Sequence, residues 1–321
     1  MYRIEQVRDE AARIAGSAAH VRMNDDRLAA LADRLKGVPL PAWDRELHFF
    51  DGTDKSVMYT LLLDAVNFCF WPSPDYAVDY QGKRFGDDDG YCALSVAIKR
   101  AFEEGVPLWE PKTLAALSEA DFRRVLRGDG EIALFDRRLA HARDVGATLI
   151  REFGGDVRNI LEASGGSAVA FAENLAERFA SYADARPYRG SVVPVLKRAQ
   201  LCASDLVGSF SGAGLPVLAD ADKLTCFADY KLPQLFHSYG VFEYASELDR
   251  AVRGLAEIPE GSEEEVEIRL CTIEAVERLR RMFADRGRQL APREIDWLLW
   301  NESVIPGRLT VPHHRTVTVS Y

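Results

Sequence analysis

The segment TCFADYKLPQLF, residues 225–236, sets one carboxylate, Asp229, behind the aromatic Phe227 and just ahead of Lys231 and Pro233. Two kinds of chemistry fit it. Asp is a strong N-cap residue, so Asp229 can simply open a helix running from Tyr230 towards Tyr239. A carboxylate held at a helix start beside apolar surface also has its charge set by local dipoles and burial, which is the situation of a catalytic acid group. A second place of interest is SVVPVLKRAQLCASDL, where Lys197 and Arg198 head an otherwise apolar helix after Pro194. Cations there oppose the helix macrodipole. They are either a solvated pair, or one of them faces a reacting centre or an anion.

In VMYTLLLDAVNFCFWPSP the pattern is apolar nearly all round, except that Thr60, Asp64, Asn67 and Trp71 recur at spacings of four, three and four. A helix over 56–70 would put them on one stripe, either exposed or lining a wet pocket. An aromatic plane beside a carboxylate and an amide is what a purine-like base needs, stacking plus edge hydrogen bonds. The tail PHHRTVTVSY offers His313, His314 and Arg315, a solvated cluster or a phosphate grip with the Arg as bidentate donor. Asp87, Asp88 and Asp89 in RFGDDDGY read as a solvated turn and helix cap.

The elements that must position these groups are mostly helical. Amphipathic periodicity predicts helices near 2–16, 25–36, 56–70, 91–104, 118–126, 132–153, 167–181, 197–209, 230–239, 245–256, 263–285 and 292–300. YAVDYQGKRFG reads as a small β-hairpin or ribbon around Gln81-Gly82, and VTVSY as a last short strand. Ser262 with Glu265 three residues on matches a capping box, and EASGGSA and FSGAGLP read as interhelical turns. With 321 residues and 47% hydrophobic content, the chain suits one large compact domain or two intimately packed helical lobes.

Composition excludes several classes. A formal net charge of -10 with no long basic block repels duplex DNA and favours a small ligand. No run of about 18 uncharged apolar residues occurs, and MYRIEQVRDEAARIAG lacks a signal-peptide core, so neither a membrane span nor export is expected and a cytoplasmic location is. The five cysteines, Cys69, Cys92, Cys202, Cys226 and Cys271, are scattered without a C-x-x-C pair. They suit a reducing compartment and suggest neither a disulfide frame nor a metal site.

HFFDG, LLLDAVNFCFWPSP, YCALSVAIKRAFEEG, LKRAQLCASDL, FADYKLPQ, EVEIR and HHRT occur in the order seen in the queuosine salvage protein family, and from about residue 40 onward the chain resembles that family. The resemblance implies a mostly α fold related to helix-hairpin-helix DNA glycosylases. It also implies release of the base queuine from queuosine 5′-monophosphate, a small-molecule nucleotide, with no cofactor. ADYKLPQ looks like the segment of those DNA glycosylases in which an Asp opens a helix. VPVLKRAQ is loosely similar to their hairpin leading to a reactive lysine, but it lacks the glycines that let such a hairpin approach phosphate.

Under that resemblance Asp229 is the carboxylate that stabilises oxocarbenium character at C1′, or that orients or deprotonates the attacking water. Lys197 lies across the site, holding Asp229 ionised or touching the ribose phosphate; a Schiff-base amine is the third alternative. Queuine is a 7-deazaguanine with a secondary amine that is cationic near neutral pH, so a carboxylate near it favours it over guanine. Asp64 with Asn67 can instead accept from the guanine-like edge, Asp51 is the other candidate for either contact, and Trp71, His48 and Phe50 complete the wall. Arg198, His314 and Arg315 are the candidates for the 5′-phosphate. Two rivals remain: a DNA base-excision glycosylase, which needs a basic face, and a non-catalytic nucleotide-binding module, which needs neither Asp229 nor Lys197.

Overall fold

Apolar residues recurring every three or four positions fold into helices along the whole chain. The computed structural model describes residues 2–73, 75–86, 90–211 and 218–321. Its helices begin with α1 (Ile4–Ala15), α2 (Asp25–Leu35), α3 (Asp54–Ala65), α4 (Gly90–Glu103), the short α5 (Pro111–Ala115) and α6 (Glu119–Val125), and the long α7 (Phe135–Phe153). They continue as α8 (Arg158–Ala163), α9 (Ala168–Arg178), α10 (Lys197–Phe210), α11 (Lys231–Ser238), α12 (Ser246–Arg253), α13 (Glu263–Asp285) and α14 (Pro292–Ser303). The protein is mostly α. Asp87, Asp88 and Asp89, and the turn read in FSGAGLP, lie largely or wholly outside the described residues.

Among the described residues six short strands, β1 (Val21–Met23), β2 (Val78–Tyr80), β3 (Lys83–Phe85), β4 (Ala185–Tyr188), β5 (Ser191–Pro194) and β6 (Phe242–Tyr244), form three antiparallel pairs: β1 with β6, β2 with β3, and β4 with β5. The predicted hairpin is the second of these. Gln81 and Gly82 both take positive φ, 49° and 76°, which lets a two-residue turn follow the strand twist. The pattern over VTVSY misleads, for no strand forms there. Instead the tail touches two segments at single points: Ile258 N–H donates to Arg315 O at 2.7 Å and Cys69 N–H to Tyr321 O at 2.8 Å. A ladder needs successive bonds to one partner, and here there are two partners.

Helix α13 is the structural centre, packed against α1, α2, α11 and α14. Ser262 caps it by accepting Glu265 N–H at 3.3 Å, while Glu265 Oε2 accepts from Gly261, one residue earlier than a full capping box requires.

The stripe expected along a helix over 56–70 breaks before Trp71. Helix α3 ends at Ala65, and Cys69 turns left-handed at φ 46°, so Trp71 leaves the face that carries Thr60 and Asp64, while the Asn67 side chain stays beside the Asp64 carboxyl. The carbonyls freed at this C-terminus are taken by two buried arginines and a neutral histidine. Arg198 Nη1 donates to Ala65 O at 2.6 Å, His141 Nδ1 donates to the same oxygen at 3.0 Å, and Arg138 reaches the carbonyls of Val66, Phe68 and Cys69. A helix C-terminus with unmet acceptors and negative dipole stabilises cations placed there.

Candidate active site

Lys197 is the first residue of α10. Leu196, left-handed at φ 57°, turns the chain from β5 into the helix, and the Asp184 carboxylate accepts the Lys197 N–H at 3.0 Å. The side chain thereby starts from a fixed point and enters a cavity of about 280 Å³ that also receives Asp229. Helical spacing brings Leu201 and Asp205 onto the same wall, four and eight residues on.

The two oxygens of Asp229 face different partners. Its Oδ1 accepts the backbone N–H of Lys231 at 2.7 Å, securing the start of α11, and its Oδ2 stands 3.9 Å from Lys197 Nζ. One carboxylate oxygen is held by backbone and the other faces an ammonium across the cavity. Lys231 lines the cavity too.

The opposite wall is aromatic: Trp43, His48, Tyr91, Trp297 and Trp300. Trp43 stacks on His48 with ring centroids 4.4 Å apart. His48 Nδ1–H donates to Asp44 O at 2.6 Å, so its Nε2 is the acceptor for the Tyr91 hydroxyl at 2.7 Å. Burial pushes this imidazole down to about 4, which keeps it neutral. Gly208 on α10 lets the wall close, because a Cβ there would lie 2.8 Å from the Trp43 ring and 3.0 Å from that of Trp297.

Three buried carboxyls surround Lys197. Burial raises Asp64 to about 7 and Asp296 to about 8 against the pull of the Lys197 charge, and raises Asp205 well above the usual carboxylate range. Asp205 and Asp296 line the cavity; Asp64 lies behind it, beneath Lys197. Asp296 Oδ2 accepts the Phe227 N–H at 2.7 Å, which ties α14 to the segment leading into Asp229.

Of the residues singled out in the sequence, Asp229, Lys197, His48 and Asn67 line the cavity. The others sit elsewhere. Trp71 donates Nε1–H to Thr316 O at 3.0 Å and lies under the Arg315 guanidinium, 5.3 Å from ring centroid to Cζ, so these two side chains occupy each other. Phe50 packs on Phe210 and beneath Arg45. Asp51 accepts from Thr53 and Ser56 at the start of α3, a local loop contact. Arg198 is fully buried on the α3 carbonyls and the rings of Phe68 and Tyr182. His314 is buried against Tyr321 and pushed down to about 3 by burial. The tail cluster supplies only His313 near the cavity, its ring 4.7 Å from that of Tyr230.

Sequence reasoning missed Trp43, Tyr91, Asp205, Asp296, Trp297 and Trp300. Asp205 had a signal, since it follows Lys197 at two i,i+4 steps in a helix already singled out for its lysine. The tryptophans come from a loop and from α14, far from Lys197 in sequence. Among the described residues, His20, Glu263 and Glu267 are the one group with metal-like spacing. They lie away from the cavity, and the Glu267 carboxylate already accepts from Ala19, His20, Tyr188 and Arg189.

A sequence model of the queuosine salvage protein family matches residues 47–321. Relatives named queuosine 5′-phosphate N-glycosylase/hydrolase include one from Sphaerobacter thermophilus, 42% identical over 311 residues, which cover 96% of this chain and 95% of that protein. One from Dictyostelium discoideum is 30% identical over 333 residues, 98% of each chain. One from Mus musculus is 31% identical over 286 residues, 84% of this chain and 83% of that one.

Proposed function

The chain belongs to the queuosine salvage protein family, and from that membership we propose that it hydrolyses the N-glycosidic bond of queuosine 5′-monophosphate, releasing queuine and ribose 5-phosphate. The observation that carries the chemical reading is the facing of Asp229 Oδ2 and Lys197 Nζ at 3.9 Å inside a cavity walled by three tryptophans.

In this reading the base stacks among Trp43, Trp297 and Trp300, whose π-faces accept any purine-like ring. Asn67, Asp205 and Asp296 meet its polar edges. A buried carboxyl that keeps its proton at neutral pH can donate as well as accept, so Asp296 is suited to supply a proton to the departing base. As the C1′–N bond breaks, its electron pair leaves with the base nitrogen, which takes a proton. The sugar becomes cationic, and Asp229 stabilises that charge more than it stabilises the ground state. Water oxygen then bonds to C1′ and passes a proton to the Asp229 carboxylate, and exchange with solvent returns one proton to Asp296. The Lys197 ammonium, 3.9 Å from the Asp229 carboxylate, stands as a fixed cation on the other side of the cavity.

The phosphate reading moves from Arg198, His314 and Arg315 to Lys231, which lines the same cavity beside Asp229. A nucleotide substrate and no duplex DNA fit the acidic chain. Among the described residues no helix is long and apolar enough to cross a membrane, and the buried thiols Cys69, Cys202, Cys226 and Cys271 are unbridged, which supports a cytoplasmic setting.

The test is chromatographic assay of free base from queuosine 5′-monophosphate, with duplex DNA carrying damaged bases in parallel. Queuine release from the nucleotide alone is the expected result. Base release from DNA alone would sink the reading.

A further inference from the structure

We infer that Arg269 and Asp184 form a buried bridge that sets the separation of Lys197 from Asp229, an inference that rests on the proposal that those two side chains act at the glycosidic bond. Arg269 belongs to the EVEIR string on α13 and has no exposed surface. Its Nη1 and Nη2 donate to the two oxygens of Asp184 at 2.9 and 2.7 Å, and its Nε donates to Ala228 O at 3.2 Å. Asp184 Oδ2 also accepts the Lys197 backbone N–H at 3.0 Å. One planar guanidinium and one carboxylate therefore join the residue before Asp229 to the first residue of α10.

The chemistry of the pair suits positioning better than it suits stability. Burying two charges is costly, and apolar residues of the same volume commonly stabilise a core as well or better. The rigid fork of an arginine, in contrast, fixes both partners at set distances and angles, which a lysine cannot do. The arrangement is further confined by Glu265, whose Oε1 lies 3.7 Å from Arg269 Nη1, and by the ring of Tyr321, 4.5 Å from the guanidinium. Tyr321 lines the cavity, so the bridge lies directly behind the site. Neither Arg269 nor Asp184 lines it, and both are positioning residues acting through Lys197 and Asp229.

The experiment compares Arg269→Lys and Arg269→Gln with Asp229→Asn, reading kcat and KM on queuosine 5′-monophosphate, queuine affinity by calorimetry, and folding by circular dichroism. Arg269→Lys keeps the buried charge opposite Asp184 but not the fork. It should fold, hold KM and queuine affinity within about threefold, and lose about 100-fold in kcat, the scale set by misplacing reacting groups by about 1 Å. Arg269→Gln, if it folds, should lose at least as much. Wild-type kcat in Arg269→Lys overturns the bridge; so does loss of queuine binding in step with kcat, or failure of Arg269→Lys to fold, since either makes the pair an ordinary part of the core. Near-normal kcat in Asp229→Asn overturns the site reading instead. An inactive Asp229→Asn alongside a fully active Arg269→Lys overturns only the bridge.

Discussion

Lys197 Nζ and Asp229 Oδ2 face each other at 3.9 Å, the lysine almost fully buried and the aspartate with 19% of its side chain exposed. The pair is close enough for strong attraction yet too far apart for a hydrogen bond, so Oδ2 keeps its free lone pairs towards the cavity. Replacing Asp229 by Asn keeps the amide-oxygen cap on Lys231 and removes the charge. Turnover should fall by roughly two to four orders of magnitude while queuine still binds. A variant with near-normal release of queuine would remove Asp229 from the chemistry.

Lys231 lines the cavity and under the proposed function meets the 5′-phosphate, whereas Arg315 is stacked on Trp71 outside the cavity. The nucleotide should therefore exceed the nucleoside in kcat/KM, and Lys231→Ala should shrink that ratio by about tenfold or more, the scale of one charge-assisted contact. Arg315→Ala should leave the ratio as it is. An unchanged ratio in Lys231→Ala would reject the assignment.

Gly208→Ala tests the aromatic wall without touching an aromatic residue. The added methyl would press on both Trp43 and Trp297. Queuine and guanine should weaken together, by about 1 to 3 kcal/mol, because stacking reads the ring face and not its edge. Asp205→Asn should instead weaken queuine more than guanine, because the cationic amine of queuine, placed against this buried carboxyl, draws it into its ionised form. Titration calorimetry with both bases separates the two effects, and equal losses in Asp205→Asn would argue against that contact.

Stability should depend on pH with a definite sign. Asp64 and Asp296, raised by burial to about 7 and about 8, keep their protons in the folded chain at pH values where the unfolded chain has lost them. Each thus favours folding at low pH and loses its contribution as pH rises to its folded value. His48 and His141, pushed down to about 4, and His314, to about 3, act oppositely below pH 6.5, where the unfolded chain takes up protons first. The two trends offset one another below pH 6.5. Above it only the carboxyls act, so urea unfolding should show a loss of roughly 1 to 3 kcal/mol between pH 6.5 and 8. Asp296→Asn should flatten that decline; the same slope in the variant would mean another group titrates.

The helices were legible because their signal is local. A period of three to four apolar residues survives in any window longer than two turns, so α1, α2, α4, α7, α10 and α13 lie close to their predicted ranges, while α5 and α8, of 5 and 6 residues, were too short to show it. The family strings were legible for the same reason, and with them Asp229 and Lys197. What the sequence alone could not decide is which side chains share a cavity. Asp64 and Trp71 looked like one face because the spacing presumes an unbroken helix, but Arg138, Arg198 and His141, more than 65 residues downstream, cap carbonyls from Ala65 to Cys69 and let the chain turn away before Trp71. The same turn leaves Trp71 to Arg315, while the cavity is walled by Trp43, Trp297 and Trp300, of which no local pattern joins the first to the other two. Helical periodicity follows from the backbone and the neighbours within one turn; the composition of the cavity depends on where long-range hydrogen bonds and packing end each helix, and only the tertiary structure fixes that.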